Sequence, residues 1–114
     1  MNDSEIIQGL RRWENSPAYK RIPWNTQTGR VIKVLAGTEW MTLRDIEAKI
    51  AVIYPEDRDT QAAISARIRE VSPSRHGLVK QKYMEMVNKK QVWRYRLVPT
   101  TPVREVAQKI GVAA

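Results

Sequence analysis

The chain contains no cysteine and a single histidine, His76. The lack of cysteine excludes disulfides, thiolate metal sites and cysteine nucleophiles, and it favours a reducing, cytoplasmic setting. A single histidine argues against Ser-His-Asp catalysis and against metal centres built on paired histidines. No apolar run approaches the roughly 18 residues that a membrane span needs. The acidic start of the chain also lacks the apolar stretch of a secretory signal. We therefore expect no membrane segment and no metal.

The 114 residues are enough for one domain, and they carry a net charge of +8. This charge is confined to the second half of the sequence. Residues 1–57 hold 8 basic and 8 acidic side chains, whereas residues 58–114 hold 12 and 4. Such asymmetry indicates a polyanionic partner. The alternative is a solvated surface that serves only solubility.

The first 24 residues predict a helix followed by an ordered arm. Asp3 or Ser4 can cap the helix, and Pro17 ends it. Its apolar residues at helical spacing are Ile6, Ile7, Leu10 and Trp13. Residues 16–24 contain two prolines and no clear period, which is typical of an arm. Because exposed aromatic side chains are costly, we expect Tyr19 and Trp24 to dock on the body of the protein.

Two further helices are predicted between residues 25 and 54. Asn25 or Thr26 can cap the first of them, and Gly37 is a natural stop. Thr42 followed by Asp45 resembles a capping box at the start of the second. The core face of that second helix is predicted to be Leu43, Ile46, Ile50 and Ile53.

Residues 55–59 form a polar turn with three carboxylates, Glu56, Asp57 and Asp59. A metal or acid–base site is one interpretation. The stronger one is that Asp57 or Asp59 caps the next helix and complements its dipole. No second carboxylate cluster and no glycine-rich phosphate loop accompanies the turn, so we expect no enzymatic activity and no cofactor.

Residues 60–71 predict a helix with two different faces. Its core face is Ile64, Ile68 and Val71. The opposite face is small in the middle and basic at the ends, and it consists of Arg58, Ala62, Ser65, Ala66 and Arg69. Residues 72–77 then break the helix. His76 is expected to be an ordinary loop histidine, and a phosphate contact is its second interpretation.

From Leu78 the period of the sequence changes to two, which predicts a β-hairpin. Residues 78–83 and 92–98 are the predicted strands, and residues 88–90 are the turn. The aromatic face (Trp93, Tyr95, Leu97) is expected to dock on helices, while the arginines and lysines face outward. Thr101 and Pro102 start a predicted last helix. Its apolar residues are Val103, Val106, Ala107 and Ile110, and they could pack on their own domain or on a second copy.

This order of elements is similar to that of small winged helix-turn-helix DNA-binding proteins of bacteriophages and prophages. Residues 42–48 look like the first helix of the motif, and residues 61–71 look like a recognition helix. The segments 77–79 and 95–97 resemble the entry and the last strand of a wing, and residues 25–30 resemble the usual lead-in. The segments 51–59 and 72–76 are longer than in a simple helix-turn-helix.

The resemblance implies an α+β, mainly α fold with a three-helix core, a β-hairpin wing and extra N- and C-terminal helices. The divisions are residues 1–24 for the N-terminal helix and arm, 25–99 for the winged domain and 100–114 for the last helix. A homodimer through the terminal helices would fit this plan.

By this resemblance we expect sequence-specific binding to double-stranded DNA, in a regulator of transcription or replication. The recognition helix 60–71 would enter the major groove, with Gln61 at a base edge and Ala62 and Ala66 close to the bases. The basic wing would lie on the flanking backbone or in the minor groove. The residues assigned to DNA are Arg58, Thr60, Gln61, Ala62, Ser65, Ala66 and Arg69, then Thr42, Arg44 and Arg75, and in the wing Lys80, Lys82, Lys89, Lys90, Arg94 and Arg96. The alternative is a winged-helix adaptor that binds other proteins in a nucleic-acid-processing complex.

Overall fold

The computed structural model describes residues 2–100, and within them it contains six helices and two strands. The protein is a small α+β structure, mainly helical, with one two-stranded antiparallel hairpin. The predicted last helix lies outside the described residues. The helices are α1 (Asp3–Glu14), α2 (Pro17–Arg21), α3 (Gln27–Leu35), α4 (Leu43–Ile53), α5 (Gln61–Glu70) and α6 (Pro73–His76), and the strands are β1 (Leu78–Val87) and β2 (Lys90–Pro99).

Short polar side chains fix the starts of the helices. The capping box predicted at α4 is confirmed, because Thr42 accepts from the N–H of Asp45 and the Asp45 carboxylate accepts from the N–H of Thr42. Thr26 caps α3, as one of the two predicted candidates. The cap predicted for α1 is wrong: Asn2, one residue earlier, accepts from the N–H of Glu5.

One apolar core joins the helices to the base of the hairpin. The predicted core faces of α4 and α5 are confirmed at Ile46, Ile50, Ile64 and Ile68, and Val71 after α5 is also buried. Ile53, predicted for the core face of α4, is 47% exposed. Ile7, one of the apolar residues at helical spacing in α1, is 46% exposed. The core cluster consists of Trp13, Ile22, Val31, Ile32, Val34, Leu35, Met41, Ile46, Ile50, Ile64, Ile68, Val71, Leu78 and Leu97.

The N-terminal arm is docked on this core through an aromatic cluster, as predicted. The Trp13 ring lies edge-on to Tyr19 with ring centroids 4.9 Å apart, and Tyr19 contacts Trp24 at the same distance. Part of the arm, expected to be irregular, is the short helix α2 with Pro17 at its start. α3 passes directly under the arm at Gly29, where a Cβ atom would lie 2.5 Å from the carbonyl oxygen of Pro23.

The hairpin is longer than the sequence predicted. Its strands continue to Val87 and resume at Lys90, so that the turn has only two residues, Asn88 and Lys89. Both have positive φ, 51° and 65°, which is the conformation of a type I′ turn and matches the twist of the flanking strands. At the base, single bridges from Ala36 and Met41 add the segment 36–41 beside β2.

His76 ends the short helix α6, in a segment predicted to be a loop, and its side chain is buried. Its Nδ1 accepts from the N–H of Ser72 at 3.1 Å, and its carbonyl oxygen accepts from Nε1 of Trp13 at 2.7 Å. Burial and the nearby positive charge of Arg75 lower the pKa of His76 below its ordinary value of 6.5. The imidazole is therefore a neutral part of the scaffold rather than a loop cation.

This buried imidazole predicts a pH-dependent stability. The unfolded chain binds the proton more tightly, so the free energy of unfolding is greatest above pH 6.5 and decreases as the pH falls toward the lower pKa of the folded state. Urea unfolding between about pH 8 and pH 5 measures this decrease. A His76→Gln variant, less stable overall, should lose the pH dependence, because the chain has no other histidine. An unchanged pH profile in that variant would contradict the assignment.

Candidate nucleic-acid interface

Helix α5 presents a small, weakly charged face to solvent. Thr60 caps it by accepting from the N–H of Ala63 at 3.2 Å, while Ile64 and Ile68 hold the opposite face in the core. The outward residues include Ala62, which is exposed, and Ser65 and Ala66, which are half-buried. The side chain of Arg69 is exposed, and its Nη1 lies 3.4 Å from the Ser65 hydroxyl. With so little side-chain bulk, another molecule could approach the helix backbone closely.

The base of the hairpin lies beside this face. Nζ of Lys80 donates to the carbonyl oxygen of Arg69 at 2.9 Å, at the C-terminal end of α5, where a cation is favourable to the helix dipole. The helix and the hairpin enclose a groove of about 400 Å³. The groove is lined by Ser65, Ile68, Arg69, Lys80, Gln81, Lys82 and Tyr95. Four predicted DNA contacts on two elements, Ser65, Arg69, Lys80 and Lys82, are thus brought together.

The predicted division of the hairpin into an apolar and a basic face is wrong. Directly opposed residues share a face, and the register pairs Lys80 with Leu97 and Lys82 with Tyr95. These two lysines therefore lie on the face that docks on α5, together with the predicted apolar residues of β2. Tyr95 and Leu97 do pack on the core, but Trp93, expected to dock with them, is 43% exposed.

The two wing arginines, predicted to face outward, are half-buried and engaged within the protein. Nε of Arg94 donates to the Glu85 carboxylate at 2.7 Å, and this bond raises the pKa of Arg94. Arg96 stacks over the ring of Trp40 at 4.2 Å, and it donates to Gln81 and to the carbonyl oxygen of Thr38. Both arginines lie on the hairpin face opposite Lys80 and Lys82. Their contacts are those of side chains that hold the wing in place.

Gln61, the predicted base-reading residue, is exposed at the start of α5. Its Nε2 donates to the Glu47 carboxylate on α4 at 3.1 Å, which orients the amide. The hydroxyl of Thr42 is used in the capping box. Thr60 is exposed, and its hydroxyl caps α5. The remaining predicted contacts are five exposed cations, Arg44, Arg58, Arg75, Lys89 and Lys90. Within residues 2–100, no acidic side chain lies within 4.0 Å of these five cations.

A buried ion pair that the sequence reasoning missed sets the start of α5. Asp59 was predicted as a candidate cap, but its carboxylate accepts two bonds from Arg30 of α3, at 2.8 and 2.9 Å, and one from Gln27 at 2.8 Å. Only 3% of the Asp59 side chain and 14% of the Arg30 side chain are exposed. The bonds from Arg30 lower the pKa of Asp59 and raise that of Arg30. We call the bonds from Arg30 and Gln27 to Asp59 the clamp. The clamp holds Asp59 in place directly before Thr60, the residue that caps α5.

The other carboxylates of the 55–59 turn do not assemble with Asp59 into a cation site. Across residues 2–100, no group of three or more histidine and carboxylate side chains is arranged to hold a metal ion. No helix in that part of the chain is long and apolar enough to cross a membrane.

Comparison of the chain with protein-family models, with curated proteins and with solved structures gave no match. The functional interpretation therefore depends on the geometry of the described residues.

Proposed function

We propose that the chain is a winged helix-turn-helix protein that binds double-stranded DNA sequence-specifically, as a phage or prophage regulator of transcription or replication. In this proposal α3, α4 and α5 are the three-helix core, α5 is the recognition helix, and the hairpin β1–β2 is the wing. The observation that carries the proposal is the groove in which Ser65 and Arg69, on the outer face of α5, lie beside Lys80 and Lys82 of the hairpin.

The proposed docking follows from the dimensions and chemistry of this face. The major groove of B-form DNA admits one α-helix, and the outer face of α5 has no bulky side chain in its middle to keep the backbone away. Gln61, oriented by Glu47, would pair with an adenine edge. Arg58, Lys80 and Lys82 would contact phosphates and so fix the register of the protein on the duplex, while Ser65 and Arg69 would follow the major groove.

The proposal predicts a steep salt dependence. If about five phosphates are neutralised, the logarithm of the affinity should fall against the logarithm of salt concentration with a slope near −4.5. Fluorescence anisotropy with a labelled duplex measures this slope. Selection of bound sequences from a random duplex pool supplies the preferred site and shows whether it is a palindrome. No binding at low salt would overturn the proposal.

Single substitutions on the face should weaken binding to the selected site. We expect Gln61→Ala and Arg69→Ala each to cost about 1–3 kcal/mol of binding free energy if these side chains read bases. The matched control is Lys33→Ala, which removes an exposed cation of α3 that lies beside α1 and α2 rather than beside the groove. Unchanged binding in the Gln61→Ala/Arg69→Ala double variant would discard this docking.

A protein-interaction adaptor is the second candidate function. The observation that favours it is the exposed apolar surface at the end of α4, where Val52 is 80% exposed. A mobility-shift series on random duplex DNA separates the two functions, because an adaptor gives no shift even at low salt. We propose no catalytic role, and a nuclease assay with and without magnesium checks that part of the proposal.

A further inference from the structure

The outer half of the hairpin exposes apolar side chains where a solvated strand would have polar ones. Met84 and Met86 on β1 are 39% and 59% exposed, and Trp93 on β2 is 43% exposed. The register pairs Met84 with Trp93, so the three side chains share one face next to the turn. We call these three residues the apolar tip. A compact exposed apolar surface of this kind is typical of an interaction site.

The apolar tip continues the face proposed to bind DNA. Going outward from the core, the paired residues on this face are Lys80 with Leu97, Lys82 with Tyr95, and Met84 with Trp93. Lys80 and Lys82 line the groove beside α5. Nζ of Lys82 lies 5.2 Å from the centre of the Trp93 ring, so the cation and the apolar tip are in direct contact. A duplex bound against the outer face of α5 and the two lysines would therefore meet the apolar tip next.

The charges around the apolar tip match a polyanion. Lys82 is exposed on the same face, Lys89 is exposed in the adjoining turn, and Lys90 is exposed on the opposite face next to the turn. The single acidic residue of the segment 78–99, Glu85, is held by Arg94 at 2.7 Å. Because an apolar surface ringed by lysines would be repelled by a basic partner and attracted to phosphates, DNA is the occupant that these charges favour.

We propose that the apolar tip enters the minor groove beside the segment that α5 contacts, presses against the base steps and bends the duplex. This inference rests on the proposed DNA binding. Apolar side chains used as wedges in the minor groove partly unstack base steps and bend DNA toward the major groove. The two-residue turn makes the end of the hairpin narrow, as entry into that groove requires. The lysines beside the apolar tip would hold the flanking phosphates.

The test measures DNA bending by the 114-residue chain. The probe is a duplex with the selected site at its centre and a fluorescent donor and acceptor at its ends. We expect the wild-type protein to shorten the end-to-end distance, with a bend in the range of roughly 20–90°. The Met84→Gln/Met86→Gln variant should still bind and should lose most of the bend. Circular dichroism confirms that the variant is folded.

The matched control is Val87→Gln. Val87 follows Met86 directly and is 40% exposed, but it lies on the opposite face of the hairpin. This variant should bend the duplex as the wild type does. A loss of bending equal to that of the methionine variant would overturn the inference, because the effect would then not depend on the face.

The remaining outcomes separate the inference from the proposed function. Wild-type binding without bending overturns the inference and leaves DNA binding intact, as does full bending by the methionine variant. Absence of any DNA binding overturns both. If the methionine variant bends DNA fully but loses self-association in sedimentation velocity, the apolar tip is a contact between copies, and the inference is wrong.

Discussion

Asp59→Ala is expected to lower the free energy of unfolding by about 3–5 kcal/mol, the usual cost of removing one partner from a buried ion pair. The substitution leaves the largely buried Arg30 guanidinium, with a side chain 14% exposed, without its carboxylate at 2.8–2.9 Å, and it removes the acceptor of the Gln27 amide. For a protein of this size such a loss is a large fraction of the 5–15 kcal/mol that typically separates the folded and unfolded states. Chemical denaturation measures it.

Asp57→Ala is the matched control for this prediction. Asp57 has the same charge and the same partner, but its carboxylate lies 3.7 Å from Arg30 and its side chain is 40% exposed. An exposed pair of this kind contributes at most about 1 kcal/mol. If both variants lost the same free energy of unfolding, the bonds to Asp59 would contribute no more than the exposed ion pair of Asp57.

The stabilisation by the Asp59–Arg30 ion pair is also expected to depend on pH in the acidic range. Because the folded state lowers the pKa of Asp59 below its ordinary value of 3.8, the stabilisation is fully present above that pH and is lost as the pH falls through the pKa of the folded state. The Asp59→Ala variant should therefore lose less stability than the wild type on acidification below pH 3.8.

Gly29→Ala is expected to destabilise the protein by about 3 kcal/mol, at the upper end of the cost of overpacking. In an exposed helix the same change would stabilise by about 1 kcal/mol, since alanine is the better helix former. Here the new Cβ would lie 2.5 Å from the Pro23 carbonyl oxygen and 2.6 Å from the Trp24 Cα. Backbone atoms cannot rotate away as a side chain can, so the arm must move away from α3.

Gly37→Ala is the control for steric effects of an added methyl group. Apart from Gly37 itself and its two neighbours in the chain, no residue has an atom within 4 Å of a Cβ built at Gly37. We expect its free energy of unfolding to stay within about 0.5 kcal/mol of the wild type. Thermal unfolding of both variants, followed by tryptophan fluorescence, reports the global transition and the undocking of Trp24 together. A Gly29→Ala protein as stable as Gly37→Ala would contradict the packing of the arm.

Local patterns were enough to predict most of the helices. The capping box at Thr42 and the apolar spacing of Ile64 and Ile68 depend on residues three or four apart, so the sequence contains all the information they need. The docking of Trp24 also followed from the high cost of exposing an indole ring.

Contacts between residues that are distant in the sequence could not be predicted from local patterns. The clamp joins Asp59 to Arg30, 29 positions away, and no local pattern identifies that partner. The predicted division of the hairpin into an apolar and a basic face was wrong for a related reason. Alternation shows which residues of one strand share a face, but the register set by the turn at Asn88 and Lys89 decides which residues of the other strand join them.

The two alanines in the middle of the outer face of α5 take no part in holding the helix in place. Its cap is Thr60 and its core contacts are Ile64 and Ile68, whereas Ala62 and Ala66 contribute to neither. Polar substitutions at these two alanines should therefore change the free energy of unfolding by no more than about 0.5 kcal/mol. A combinatorial library randomised there would vary the surface proposed to contact DNA on an unchanged scaffold.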